Sequence, residues 1–214
     1  MTRDEYIDLH TDPEPDYLEQ IDRKTHLMVV NPRMISGHFQ GRFLSMIAKM
    51  QQPLRILELG TFTGYSALCL AEALPENGIL HTIEHNDELE DFIRENISES
   101  TFAHKITLHI GDALAIIPTL DELFDLVFID ADKREYIAYY DAVFDKLRPG
   151  GLILADNTLW SDKVLETVHP NDKQTIELMR FNDYVTHDRR VEKIIVPLRD
   201  GLTMIRKKEQ IENN

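Results

Sequence analysis

The chain has 214 residues, 43% hydrophobic and 29% charged, a length and balance that suit one soluble globular domain with a full core. Asp and Glu number 38 against 23 Lys and Arg; the resulting net charge of −15 repels phosphate backbones and disfavours nucleic acid as a partner. A single cysteine, Cys69, excludes an internal disulfide, and no apolar run suits a signal segment or a membrane span, so a cytoplasmic protein without a membrane partner is expected.

Residues 1–15 are polar and contain the breaker Thr11-Asp12-Pro13-Glu14-Pro15, which predicts a flexible N-terminal arm or a short helix packing on a partner. Residues 16–214 are expected to form a single domain that begins with helices. The first runs from Asp16 to Val30 and is interrupted by Asn31-Pro32; the second runs from Gly37 to Gln51, with Phe39, Phe43, Leu44, Ile47 and Met50 on one side. After Pro53 strands and helices alternate. Leu54–Leu59 is a strand, followed by a glycine turn and a helix to about Leu74 in which Cys69 is a small core residue. Ile79–Glu84, Ile106–Ile110 and Phe124–Ile129 are further strands, and Leu89, Phe92, Ile93 and Ile97 mark the helix after Glu84. Asp132–Leu147 reads as a helix burying Tyr136, Tyr140, Val143, Phe144 and Leu147, stopped by Pro149-Gly150-Gly151, which starts a fifth strand. After a helix near Asn171–Thr186, Val191–Leu198 and Leu202–Lys207 flank Arg199-Asp200-Gly201, a β-hairpin signal.

This alternation predicts an α/β fold with a mostly parallel sheet covered on both faces and an antiparallel C-terminal strand. The first strand–helix turn, Glu58-Leu59-Gly60-Thr61-Phe62-Thr63-Gly64-Tyr65-Ser66, lets backbone approach a ligand at Gly60 and Gly64 but is not G-x-G-x-x-G. The second strand ends in Glu84, where an acid can hold ribose hydroxyls, and the third runs into Gly111-Asp112-Ala113, where an acid can meet an adenine amino group. With Glu58, three acids stand at three consecutive strand ends. A helix N-cap or a solvated strand end is the alternative for Glu84 or Asp112 taken singly. Together they suit a nucleoside without phosphates; Glu58 would repel a pyrophosphate but favour the cationic sulfonium and amino groups of S-adenosylmethionine.

Two apolar strands run into Asp130-Ala131-Asp132-Lys133 and into Asp156-Asn157. In a parallel sheet both deliver oxygen donors to the same carboxyl edge, where such folds bind ligands. Asp130, Asp156 and Asn157 offer oxygens only, which points to a hard cation; His81 and His85 lack the Cys or His companions that zinc would need. Asp132 suits a helix cap, and Lys133 sits unfavourably at a helix N-terminus, which argues for function.

These segments resemble class I methyltransferases, and more closely the cation-dependent O-methyltransferases, the catechol and caffeoyl-CoA family with its bacterial relatives. The similarity covers roughly residues 30–208. Met34–Ser36 with Gly41-Arg42-Phe43-Leu44 resembles the helix that covers the methionine end of the cofactor, although Arg42 stands where the family often has Gln. Glu58–Ser66 resembles the first motif. Phe128–Lys133 and Asp156-Asn157-Thr158-Leu159-Trp160 resemble the metal motifs, nearer the caffeoyl-CoA branch. The resemblance implies a Rossmann-like, doubly wound seven-stranded sheet. It implies a cofactor site of Met34, Ser36, Glu58, Gly60, Thr61, Phe62, Tyr65, Ser66, Glu84, Asp112, Ala113 and Asp130. It further implies Mg²⁺, Ca²⁺ or Mn²⁺ on Asp130, Asp156 and Asn157, a substrate contact at Trp160, and a homodimer.

The expected activity is methyl transfer from S-adenosylmethionine to one hydroxyl of a small vicinal-dihydroxy aromatic. The dication would lower that hydroxyl's pKa, and Lys133, its own pKa depressed by the same charge, would accept the proton. Three other readings stand beside it: the same chemistry on a hydroxylated uridine of tRNA, a cofactor-binding protein without catalysis, and, more distantly, a nicotinamide oxidoreductase. The intact set of Asp130, Lys133, Asp156 and Asn157 argues against a non-catalytic protein.

Overall fold

The computed structural model describes residues 1–209. Its strands are β1 (Arg55–Leu59), β2 (Ile79–Glu84), β3 (Ile106–Ile110), β4 (Phe124–Ile129), β5 (Leu147–Ala155), β6 (Val191–Val196) and β7 (Leu202–Lys207). Its α-helices are α1 (Arg3–Leu9), α2 (Asp16–Met28), α3 (Gly37–Gln51), α4 (Tyr65–Ala71), α5 (Glu90–Ser98), α6 (Ala113–Ile116), α7 (Tyr136–Phe144) and α8 (Lys173–His187). The strands form one seven-stranded sheet in the order β3-β2-β1-β4-β5-β7-β6. β4 pairs parallel with β1 and with β5, and β2 pairs parallel with β3. β7 is antiparallel to both β5 and β6, so β6 again points the way β5 does. The expected Rossmann-like α/β sheet with its reversed C-terminal strand is present.

The chain divides into two compact units, Met1–Leu54 with Thr61–Gly111, and Arg55–Gly60 with Asp112 onward. In the first unit, the segment expected to be an arm contains α1, closed by a capping box in which Thr2 and Glu5 each accept the other's backbone N–H. The α2 and α4 helices share a core of Leu18, Ile21, Ile35, Tyr65, Leu68 and Cys69. The α3 helix reaches α4 through Gly41, where a Cβ would lie 2.7 Å from the Tyr65 ring and 2.9 Å from Cys69 Sγ. Burial pushes the Cys69 thiol pKa up, as befits a core thiol. Beside it, Arg42 donates to both oxygens of Glu72, and Ser45, Lys49 and Tyr17 donate to the same carboxylate.

In the second unit β4 is buried almost throughout, the continuous apolar run expected of a strand covered on both faces. The region after β4 corrects the expected helix Asp132–Leu147. A 3-10 turn spans Lys133–Glu135, α7 ends at Phe144, and β5 begins at Leu147 rather than after Pro149. Leu147 pairs with Phe124, and a register shift between Phe124 and Leu126 absorbs Arg148–Gly151, with Gly150 at φ 79°. A proline is tolerated in a strand at such an irregularity. Tyr136 and Tyr140 of α7 pack edge-on against Phe181 of α8. Residues 210–214, included in the expected domain, lie outside the described residues.

Candidate functional site

In the first unit, the site residues expected from the sequence gather at the turn entering α4. Glu84, ending β2, accepts the Phe62 N–H at 2.7 Å and the Asn86 N–H at 2.8 Å. Phe62 has φ 51°, a left-handed conformation that costs a non-glycine residue about 1–3 kcal/mol and persists where its surroundings over-determine it. The clamp by Glu84 is part of that determination. Below it, the Thr61 and Thr82 hydroxyls share a buried hydrogen bond of 2.5 Å, so the Thr61 side chain faces the core. Tyr65 is 2% exposed, and its hydroxyl donates to Glu14 just ahead of α2. Its side chain packs between helices, and burial pushes its pKa up. Ser66 and Ser36 are buried near the starts of α4 and α3, while Met34 is largely exposed on the 3-10 turn Pro32–Met34.

His81 Nδ1 lies 2.9 Å from His109 Nε2 on the neighbouring strand, while His85 is exposed. Burial, then the facing His81, lowers the His109 pKa. Among the described residues no three His, Cys, Asp or Glu side chains gather as a metal cluster.

In the second unit, Glu58 is fully buried near the end of β1. Gly60 follows at φ 94° against the main chain of Asp130. Asp112 Oδ1 accepts the Leu114 N–H at 2.9 Å and so caps α6, whose first residue, Ala113, is buried. Both the helix-cap reading of Asp112 and the turn-clamp role of Glu84 are thus realised in hydrogen bonds. Each carboxylate accepts from backbone N–H groups, and a carboxylate has further lone pairs with which to accept from ligand hydroxyl or amino groups.

Within the second unit the strand register also places the expected cation ligands. Ile129 of β4 pairs with Ala155 of β5, and Asp156 N donates to Ile129 O at 2.9 Å, so Asp130 and Asp156 leave adjacent strands side by side. Asp156 is 3% exposed, and its Oδ1 accepts the Asn157 N–H at 2.8 Å. Asn157 has φ 60°, and Trp160, Ser161 and Asp162 also have positive φ, a concentration of backbone strain in one short loop. Two carboxylates and an amide at adjacent strand tips are an all-oxygen set that fits a hard divalent cation.

Lys133 stands against that set. It is 7% exposed, and its Nζ donates to Asp130 Oδ1 at 2.7 Å and to the Tyr136 hydroxyl at 2.9 Å. The Tyr136 hydroxyl in turn donates to Asp156 O at 3.0 Å. Burial pushes the Lys133 pKa down, but Asp130 and Tyr136 together outweigh it and the net shift is upward. The depressed value expected from the sequence presupposed a neighbouring dication; with Asp130 and Tyr136 as its partners the sign reverses. Asp132 caps the turn as expected, accepting the Arg134 N–H at 3.0 Å. The Trp160 ring centre is 6.0 Å from Lys133 Nζ, and its buried indole N–H has no hydrogen-bond partner among the described residues.

Two features escaped the sequence reading. Tyr136, read there as helix packing, puts its hydroxyl inside the site; its only signal was a position one turn after Lys133. The hairpin turn straps down the Trp160 loop: Thr158 N donates to Gly201 O at 2.9 Å, and Leu159 N and Trp160 N donate to Asp200 O at 2.7 and 3.1 Å. Asn182 of α8 adds a bond to Thr158 O at 2.8 Å.

A Rossmann-like seven-stranded sheet with one reversed strand is the class I methyltransferase architecture. The sequence profile of the O-methyltransferase family matches residues 8–208, and the chain belongs to that family. Caffeoyl-CoA O-methyltransferase 2 of Zea mays is 36% identical over 191 residues, spanning 81% of this chain and 70% of the relative. The caffeoyl-CoA O-methyltransferase of Pinus taeda is 34% identical over 211 residues, spanning 91% and 79%. Among solved structures, the O-methyltransferase TomG from Streptomyces achromogenes, in complex with SAM, superposes with a TM-score of 0.88 at 30% identity, covering 98% of this chain and all of that one. The Bacillus cereus O-methyltransferase in complex with SAH gives 0.89 at 28% identity, covering 96% of each.

Proposed function

We propose that this O-methyltransferase takes its methyl group from S-adenosylmethionine and, with a divalent cation, places it on one hydroxyl of a small vicinal-dihydroxy aromatic. The observation that carries the proposal is the Lys133–Asp130 pair at 2.7 Å beside Asp156 and Asn157. The relatives named as caffeoyl-CoA O-methyltransferases support the substrate class, and the SAM- and SAH-bound structures support the methyl donor.

Glu84 would accept from ribose hydroxyls and Asp112 from the adenine amino group, while the turn from Gly60 to Ser66, with Ala113, would offer backbone. Thr61 and Tyr65 contribute packing in this assignment, since their hydroxyls are already engaged. Met34 and Ser36 would cover the methionine end. Asp130, Asp156 and Asn157 would hold Mg²⁺, Ca²⁺ or Mn²⁺. When bound, such a cation lowers the pKa of a coordinated hydroxyl, and the methyl donor supplies an electrophilic carbon. With Asp130's charge shared in this way, the support for the Lys133 ammonium weakens while its burial persists. Nζ would then lose its proton to solvent and, as a neutral amine, accept the one that the substrate hydroxyl gives up as its oxygen takes the methyl group. Trp160 would wall the aromatic ring and keep water out. The remaining contribution is positioning. A homodimer, as in the resemblance, belongs to the same proposal.

A labelled-methyl screen over catechols, caffeoyl esters and tRNA, with and without chelator, tests this. Chelator-sensitive transfer to a vicinal-dihydroxy aromatic is expected. Transfer to tRNA alone, or activity indifferent to chelator and to Asp130→Ala, would overturn it.

A further inference from the structure

We infer that Tyr136 is a positioning residue of the methyl-transfer site, holding Lys133 and the main chain of Asp156 in one arrangement. The inference rests on the proposed function, because it assigns purpose to a contact between that site's base and one of its cation ligands.

Tyr136 is fully buried on the first turn of α7. A phenol has one proton and two acceptor lone pairs. The Asp156 carbonyl at 3.0 Å can only accept, so it takes that proton; Ile129 O, at 3.3 Å, is a longer second acceptor. The lone pairs are then directed by default towards Lys133 Nζ, which donates from 2.9 Å. Reversal is impossible, because an ammonium has no lone pair and a carbonyl no proton. Lys133 is thus tethered twice, to a carboxylate and to a phenol. The two tethers differ in one respect. The Asp130 carboxylate is also an expected cation ligand, whereas the Tyr136 hydroxyl is not. When Asp130 turns its charge elsewhere, Tyr136 remains to stop the long lysine side chain from leaving its buried position.

The ring is itself held. Its centre lies 5.3 Å from that of Phe181 with the planes at 86°, an edge-to-face contact that fixes the phenol from α8. A continuous chain therefore runs from α8 through Tyr136 to the tips of β4 and β5. Outer partners of this kind orient the groups that do chemistry, and their removal commonly costs ten- to a hundredfold in metal affinity or activity.

The test compares Tyr136→Phe with the unaltered protein in three measurements. These are kcat and KM for S-adenosylmethionine and a catechol, thermal midpoint, and Mn²⁺ binding read by quenching of the sole tryptophan, Trp160. The expected result is a fall in kcat of about tenfold or more, with both KM values within about twofold, and weaker Mn²⁺ binding. Unchanged kcat and Mn²⁺ affinity in a folded Tyr136→Phe protein would overturn the inference. Should that variant not fold, Phe181→Leu keeps the hydroxyl but frees the ring. A kcat loss there supports positioning, and an unchanged kcat overturns it. Failure of the underlying functional reading looks different: the unaltered protein itself would show neither Mn²⁺ quenching nor chelator-sensitive transfer.

Discussion

Gly60 and Asp130 approach so closely that no side chain fits between them. A Cβ on Gly60 would lie 2.8 Å from the carbonyl carbon of Asp130 and 3.4 Å from Ala131 Cα, and its φ of 94° already disfavours any L side chain. The glycine turn and the strand tip bearing Asp130 therefore share one backbone geometry. Gly60→Ala should shift Asp130 and destabilise the protein by about 1–3 kcal/mol. Thermal unfolding would show the lower midpoint, and Mn²⁺ quenching of Trp160 would weaken. Wild-type values in both would mean that the strand tip yields freely.

Lys133→Met keeps most of the buried volume and removes the charge. Loss of a general base lowers kcat by about 10²–10⁴-fold. Because Lys133 is not assigned to the cofactor, KM for S-adenosylmethionine should stay near the wild-type value. Steady-state kinetics decide this, and a kcat within a factor of three would remove Lys133 from the mechanism. Chelator should abolish wild-type transfer to a catechol, and added Mg²⁺, Ca²⁺ or Mn²⁺ should restore it.

Gly201 faces Leu159 across the strap between the hairpin and the Trp160 loop. A Cβ there would lie 2.5 Å from Leu159 Cγ and 2.8 Å from its backbone N. Gly201→Ala should push the Trp160 loop outward and raise KM for the aromatic substrate several-fold. S-adenosylhomocysteine affinity, measured by calorimetry, should be unchanged. Loss of cofactor affinity in step with substrate affinity would point instead to general unfolding.

The legibility of these features followed their range in the chain. β2, β3 and β4 match their expected limits residue for residue, because each is an apolar run bounded by turn residues. Asp130, Asp156 and Asn157 were legible because a parallel sheet puts all strand tips on one edge. Tyr136 was not, since an aromatic at helical spacing reads as packing and its ring does pack; only the hydroxyl's direction reveals more. The straps between Asp200 and Trp160 and between Thr61 and Thr82 were invisible because strand order, not sequence spacing, brings those residues together. The early start of β5 depended on a register shift that no local pattern announces.

Glu72 provides a test of the first unit's buried ion network. Burial pushes its pKa up, but hydrogen bonds from Arg42, Ser45 and Lys49 outweigh that and hold it at about 2, against 4.5 for an unperturbed Glu. A carboxyl depressed on folding stabilises the protein above its unfolded pKa, and that contribution is lost as pH falls through the folded value. The window here is pH 4.5 down to about 2. The shift corresponds to stability on the order of 3 kcal/mol at neutral pH. Glu72→Gln also leaves the Arg42 guanidinium, 13% exposed, without its carboxylate. The variant should therefore unfold at a lower denaturant concentration at pH 7. Its deficit should shrink steadily below pH 4.5 as the wild-type protein loses the same charge. Denaturant titrations across that range measure the difference directly. A deficit that stays constant down to pH 2 would show that packing, not the Arg42–Glu72 charge pair, holds α3 against α4.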